Sequence, residues 1–193
     1  MSHGIAKNIK LGGDAFVSGN NIPAWHKLGT VKEGMLTALD CLTYGGLDFE
    51  VATQPAFFNF NGQDVVMERK YATYRTDNGA YLGCVGNKYK VVQNRDAFKF
   101  FDSITGGGEA IYETAGALGK GERIFISAKM PNYITINGTD DVTEFYVLFT
   151  SSHDGNGSIK AMVTPIRVVC ANTLRMALEN TVSSVNIRHT ASA

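Results

Sequence analysis

Hydrophobic and polar residues alternate in some stretches of this chain and recur at helical spacing in others, and the two periods divide it into elements. Residues 1–24 are rich in Gly, Asn and Ser without a sustained period, which predicts an extended arm ahead of a fold that begins near Trp25. From Thr30 to Tyr44 (TVKEGMLTALDCLTY), Met35, Leu36, Leu39 and Leu42 fall on one helical face and Gly45-Gly46 supplies the stop, so a short amphipathic helix is expected. The next stretch, FEVATQPAFFNFNGQDVVMERKYATYRTDNGAYLGCVGNKYKVV, is dense in Phe, Tyr and Val and is broken at Asn61-Gly62 and Asp77-Asn78-Gly79. Both breaks tolerate the positive φ of tight turns, which predicts three or four antiparallel strands. Pro55 can donate no ladder hydrogen bond and belongs on an edge or at a bulge.

Beyond this, Asn94 is the expected cap of a helix, NRDAFKFFDSI, with Asp96 in the first turn, Phe98, Phe101 and Ile104 facing inward, and Gly106-Gly107-Gly108 ending it. Three strand-like runs follow, AIYETAGAL, ERIFISAKM and EFYVLFTSS, separated by the turn GKGE and by MPNYITINGTDD. A last helix is expected from about Pro165 to Glu179, since proline is tolerated in a first turn and Ile166, Val169, Thr173, Leu174 and Leu178 share a face. The tail TVSSVNIRHT alternates as a strand does. The pattern predicts a single α+β domain over residues 25–193, a twisted antiparallel sheet with about three helices packed on one side.

Composition narrows the function. The chain has 193 residues and a formal net charge of zero, which argues against a uniformly basic nucleic-acid binder. The charge is nevertheless segregated: net −3 over residues 1–68, +5 over 69–99, −5 over 100–154 and +3 from 155 onward. Cys41, Cys84 and Cys170 are far apart and form no CxxC, so a reducing compartment is expected. No apolar run approaches the ~20 residues that span a bilayer, and MSHGIAKNIKLGG lacks a signal-peptide core, so the expected location is the cytoplasm, without membrane contact.

Several stretches invite a chemical reading. In SSHDGNGS, Ser152, His153 and Asp154 are consecutive, and neighbouring side chains diverge, so they cannot form a triad; DGNG has the residues of a turn. His153 could still pair with a distant nucleophile such as Cys170, but there is no nucleophile elbow, and an enzyme is not the expectation. GGGEAIYETAGALGKGER lacks phosphate-loop spacing, because Lys120 is followed by Gly121 and Thr114 stands where the first glycine would fall. His3, His26, His153 and His189 have no partner at metal-ligand spacing, so neither metal nor cofactor is expected. Trp25-His26 reads as a packing anchor, with the indole buried and the imidazole satisfied by backbone.

The basic stretch is the stronger candidate. Arg69, Lys70, Arg75, Lys88, Lys90 and Arg95 are interleaved with tyrosines that include Tyr74 and Tyr89. Cations that neutralise phosphate and aromatic faces on which bases stack are the two ingredients of single-strand binding grooves. If residues 88–90 are a strand, Lys88 and Lys90 share a face. Arg167 and Arg175, eight residues apart on the last predicted helix, lie about 80° apart around its axis and could line the same groove. The alternative is a sheet whose outer face is solvated by Lys and Arg.

Five stretches taken in order, AWHKLGT, YRTDNGAYLGCVGNKYKVVQN, IYETAGAL, SHDGNGSIKAMVTPIRVVCANTL and IRHT, resemble the phage/plasmid-like protein family built on domain of unknown function 932, from roughly Pro23 to Thr190. The family opening, Pro-Trp-His-Gly-Leu-Gly, is altered here: Ala24 precedes Trp25 and Lys27 replaces the glycine. Members generally continue past the arginine-histidine-threonine segment. The resemblance implies a mobile-element setting and carries no enzyme reaction. The order of elements is similar in pattern to single-strand annealing proteins, which lay DNA along a basic groove of a ring or filament. The expectation is a single-stranded DNA binding and annealing protein acting in recombination as a homo-oligomer, its alternating acidic and basic segments meeting head to tail. The alternative is a non-enzymatic anti-defence or regulatory protein that binds a host protein through a sheet edge or apolar patch.

Overall fold

The computed structural model describes residues 3–104, 111–135 and 142–190. In chain order the elements are β1 (Phe16–Ser18), β2 (Thr30–Val31), α1 (Ala38–Tyr44), β3 (Val51–Phe60), β4 (Gln63–Arg75), β5 (Tyr81–Gly86), α2 (Asn94–Ile104), β6 (Ile111–Leu118), β7 (Arg123–Thr135), β8 (Val142–Ser152), β9 (Ile159–Thr164), α3 (Ala171–Glu179) and β10 (Ser183–Ile187). A large sheet runs β10-β9-β8-β7-β6-β1-β2, antiparallel except for the parallel pair β1 and β2, and a small antiparallel sheet runs β3-β4-β5. No helix among the described residues is long and apolar enough to cross a membrane.

Apolar residues on both faces of β7 and β8 build two cores. Ile124, Ile126, Ala128 and Phe149 pack with Cys41 of α1 and with Ala97, Phe98 and Phe101 of α2. The alternate residues Phe125 and Leu148 pack with Leu174 and Ala177 of α3. Side chains two apart on a strand share a face, so α1 and α2 cover one face of the large sheet and α3 the other. The α+β class with strands dominant is therefore as expected, but the helices divide between two faces instead of gathering on one. Nor are residues 3–24 a free arm. Ala6, Ala15, Phe16 and Val17 are buried, and β1 lies between β6 and β2; a strand of three residues is too short to show a period.

Two helices start later than their patterns suggest, for local reasons. α1 begins at Ala38 because Thr37 and Asp40 form a capping box: Thr37 Oγ1 accepts from Asp40 N at 3.1 Å and Asp40 Oδ2 accepts from Thr37 N at 3.0 Å. Thr30-Val31 pairs with β1 instead, and of the proposed helical face Met35 and Leu39 are exposed while Leu36 is buried. α3 begins at Ala171, where the Thr173 hydroxyl accepts from the amides of Val169 and Cys170, each at 2.9 Å. Residues 165–170 are irregular and pinned to β6 by the Thr114 hydroxyl, which donates to Val168 O at 2.6 Å. Pro165 is thus not in a first helical turn.

α2 buries Phe98 and Phe101 as expected, but Asn94 does not cap it. The amides of Asp96 and Ala97 go to Gln93 O, and Asn94 Nδ2 donates across the core to Leu47 O at 2.8 Å. The glycine stop at 106–108 lies outside the described residues, as does the β7–β8 connection, 136–141. Trp25 is 66% exposed and not an anchor. His26 is satisfied by backbone as expected: Nδ1 accepts from Leu28 N, which leaves Nε2 to donate to Val169 O, both at 3.0 Å.

In the small sheet, Pro55 sits on edge strand β3 beside a register irregularity between Pro55 and Phe57, and Asn61 (φ 51) and Gly62 (φ 84) form the left-handed turn that joins β3 to β4. The inner half is tied to the core: the Gln93 side chain accepts from Val51 N and donates to Val51 O, and the Thr73 hydroxyl donates to His153 O at 2.7 Å. The outer half, Phe57–Phe60 with Gln63–Arg69, is exposed on both faces, including Phe57, Phe58, Phe60, Val65 and Val66.

These placements separate two phenylalanines. Phe101→Ala empties a fully buried site and is expected to cost about 3–5 kcal/mol in urea denaturation. Phe58→Ala, on the exposed hairpin, is expected to stay within about 0.5 kcal/mol.

Candidate nucleic-acid interface

Strand alternation sorts the small sheet into two faces. Thr73, Arg75, Val51 and Val85 face inward and are buried. Lys70, Ala72 and Tyr74 of β4 face the other way, and their register partners on β5 are Gly86, Cys84 and Tyr81. Tyr81 is 52% exposed and pairs directly with Tyr74, so two tyrosine rings and the Lys70 ammonium share one outer face. No Asp or Glu occurs in residues 51–60, 69–76 or 81–95, and the carboxylates of β4, Asp64 and Glu68, lie in its outer half ahead of Lys70.

Of the ten residues that composition and spacing single out, the structure withdraws several from solvent or from availability. Arg75 is 2% exposed: its Nε and Nη2 donate to Asp77 at 3.0 and 2.7 Å, Nη1 donates to Lys120 O, and the guanidinium lies 3.9 Å from the Phe49 ring centre. Arg95 is held by Asp48 at 2.6 Å, a carboxylate that Lys10 also engages. Arg167 precedes α3, donating to the buried Glu113 at 2.8 Å and to Ile22 O at 3.0 Å. Arg175 is exposed on α3, across the large sheet from the α2 face that carries Arg95. The helix-face relation expected of Arg167 and Arg175 has no common helix to act on.

Arg69, Lys70, Lys88 and Lys90 are exposed, and no carboxylate lies within ion-pair distance of any of them among the described residues. Lys88 and Lys90 follow β5 in irregular backbone, so strand alternation does not set their directions. Tyr89 is tied into the fold, since its hydroxyl donates to Ser152 O at 3.1 Å and its ring stacks on His189 at 4.9 Å. Tyr74 is half-buried on the outer face. Tyr81 is one of the tyrosines interleaved with the basic residues but not one of the ten candidates, and the hairpin phenylalanines are not among them either; the turn signal at Asn78-Gly79 and the register that follows from it could have placed Tyr81 opposite Tyr74.

The serine, histidine and aspartate at 152–154 form the turn that their composition suggests, with Gly155 at φ +79. The Ser152 hydroxyl donates to the Asp154 carboxylate and not to His153. His153 is fully buried against Phe49, while Cys170 is fully buried in the α3 cluster. These side chains do not assemble a nucleophile with its base. Asn94 Nδ2 donates to Leu47 O, so Asn94 Oδ1 must accept, and His153 Nε2 carries the proton across their 2.9 Å contact. Nδ1 is then a buried acceptor without a partner.

The model of one sequence family, the domain of unknown function DUF932, matches residues 81–193. The chain belongs to this family. The DUF932 match begins at Tyr81, the first residue of β5, so the AWHKLGT stretch and the β3–β4 hairpin lie ahead of it. No curated protein and no solved structure matches the chain.

Within the DUF932 region, His153 gives the fold a pH dependence. Burial, aided by the charges of His189 and Arg75 and opposed by Asp154, lowers its pKa from 6.5 to about 4. The unfolded chain takes up this proton near pH 6.5 and the folded chain only near 4, so the contribution is complete above the first value and lost on descent toward the second, by on the order of 3 kcal/mol. Burial lowers the pKa of His189 as well, with the same sign. Urea melts taken across this window are expected to show a falling midpoint in the parent and a flatter profile in His153→Gln; coincident profiles would refute the assignment.

Proposed function

We propose that this DUF932 chain is a non-enzymatic, single-stranded DNA binding and annealing protein of a mobile element, acting as a cytoplasmic homo-oligomer in recombination. The observation that supports the reading is the outer face of the small sheet, where Tyr74 and Tyr81 are register partners and Lys70 stands four residues away along β4, with no Asp or Glu in residues 69–76 or 81–86. Arg69, Lys88 and Lys90 extend the positive charge from the same sheet and the segment that leaves it. Aromatic rings accept bases of any sequence, and unpaired cations neutralise the phosphates between them. The interface is narrower than the ten-residue groove, because Arg75, Arg95 and Arg167 have internal partners.

A second reading draws on a different observation. The outer half of the β3–β4 hairpin exposes Phe57, Phe58, Phe60, Val65, Val66 and Met67, an apolar surface of the kind that marks a protein contact. It suits the alternative in which the chain is an anti-defence or regulatory protein that captures a host protein.

Titration of a labelled single-stranded oligonucleotide at several salt concentrations separates the readings. The expected log-log slope is about 0.7 per phosphate contact, falling by about one contact in Lys70→Gln and in Lys88→Gln and unchanged in Arg95→Gln. Tyr81→Ala is expected to cost about 1–3 kcal/mol of binding at fixed salt. Absence of binding at low salt, or a salt-independent affinity, overturns the nucleic-acid reading; a nuclease-resistant complex with a cellular protein, lost on Phe58→Asp, supports the second.

A further inference from the structure

The turn at 153–158 does more than connect two strands. It roofs a cavity of about 100 Å³ whose floor is the α3 side of the large sheet and whose lining includes Arg123, Thr150, Ser152, Asn156, Ser158 and Lys160. The register places Arg123 opposite Ser152 and Thr150 opposite Lys160, so three adjacent strands, β7, β8 and β9, turn these side chains to one face. Gly157 permits the roof to sit this low: a Cβ there would lie 2.7 Å from Ser152 Cβ and 3.9 Å from Arg123 Nη2.

Arg123 and Lys160 are both half-buried, and neither has a carboxylate within ion-pair distance among the described residues. The buried Arg75 and the half-buried Arg167 do have one. Two partly buried cations facing a shared cavity favour an anion between them, and the Asp154 carboxylate, although Arg123 acts on it electrostatically, is not within ion-pair distance of either. Asp154, the carboxylate of the roof, has its Oδ1 occupied by the Ser152 hydroxyl and by Asn156 N at 2.8 Å. Thr150 spends its proton on Ile124 O at 2.8 Å. The Asn156 side chain also engages Asp154, so the donors left to the cavity are the Arg123 guanidinium, the Lys160 ammonium and the Ser158 hydroxyl, which suit a tetrahedral oxyanion.

We propose that this pocket binds a phosphate group. Its volume admits a phosphate group, and any larger ligand can extend past the rim. The site does not rest on the nucleic-acid reading, since it lies on the large sheet and uses none of the small-sheet residues. The phosphate can come from a free small phosphate or from the end of a strand, and both satisfy the proposal.

The test compares inorganic phosphate with chloride at equal ionic strength in thermal melts, and a 5′-phosphorylated with a 5′-hydroxyl oligonucleotide in binding. Phosphate is expected to raise the Tm of the parent, and Arg123→Gln and Lys160→Gln are each expected to weaken the apparent affinity about tenfold or more. Lys99→Gln, an exposed lysine paired with Asp96, is expected to leave it unchanged. Circular dichroism without phosphate confirms that each variant is folded. Stabilisation by inorganic phosphate alone assigns a free phosphate; preference for the phosphorylated strand, lost in Lys160→Gln but kept in Lys70→Gln, assigns a strand end. If phosphate acts no differently from chloride and the two oligonucleotides bind alike, or if both pocket variants keep the parent's response, the proposal falls, whatever the oligonucleotide affinity of the small sheet.

Discussion

A single buried histidine joins the parts of this molecule through its backbone and its imidazole. The backbone of His153 donates to Glu122 O at the start of β7 and accepts the Thr73 hydroxyl from β4. Its side chain meets Asn94 at the first turn of α2, and Asn94 in turn holds Leu47 O beyond α1. Small sheet, large sheet and the first core therefore share one hydrogen-bonded node. In a low-dielectric interior such a node is stable only when it is neutral and nearly fully satisfied. The loop that follows inherits its position from it: Gly83 of β5 approaches so closely that a Cβ would lie 2.5 Å from Asp154 Cα, and the Tyr89 hydroxyl reaches back to Ser152 O.

This arrangement explains why the fold was more legible in the sequence than the candidate site. Alternation and turn residues are local, and they located the small sheet, the Asn61-Gly62 turn and the edge position of Pro55. Helix starts were less legible because they depend on single side chains, Thr37 with Asp40 in one case and Thr173 in the other, that outweigh a plausible apolar face. The division of the helices between two faces was hidden because large apolar residues occupy both sets of alternate positions, Ile124 and Ile126 against Phe125 on β7 and Phe149 against Leu148 on β8, so neither face reads as wholly polar.

The fate of the basic residues was hidden for a different reason. Arg95 meets Asp48 and Arg167 meets Glu113 across long sequence separations, which no local pattern shows. Arg75 is the exception: Asp77 stands two positions away, and a strand-to-turn geometry could have suggested the pairing. A count of cations in a segment measures what is available before folding. Partnering decides what remains, and among the described residues the outer face of the small sheet and the cavity under residues 153–158 are two places that keep cations outside any ion pair.

The exposed hairpin tip has a consequence of its own. With neither side packed against a core, its side chains cannot distinguish the native pairing from one slipped by a residue, a choice that burial normally enforces. The geometry is fixed instead at the far end, by the left-handed Asn61 and Gly62 and by Asn59, which accepts from Gly62 N and donates to Asp64. The arm is thus aligned from its tip inward, and a handful of polar atoms set the direction in which its phenylalanines are displayed.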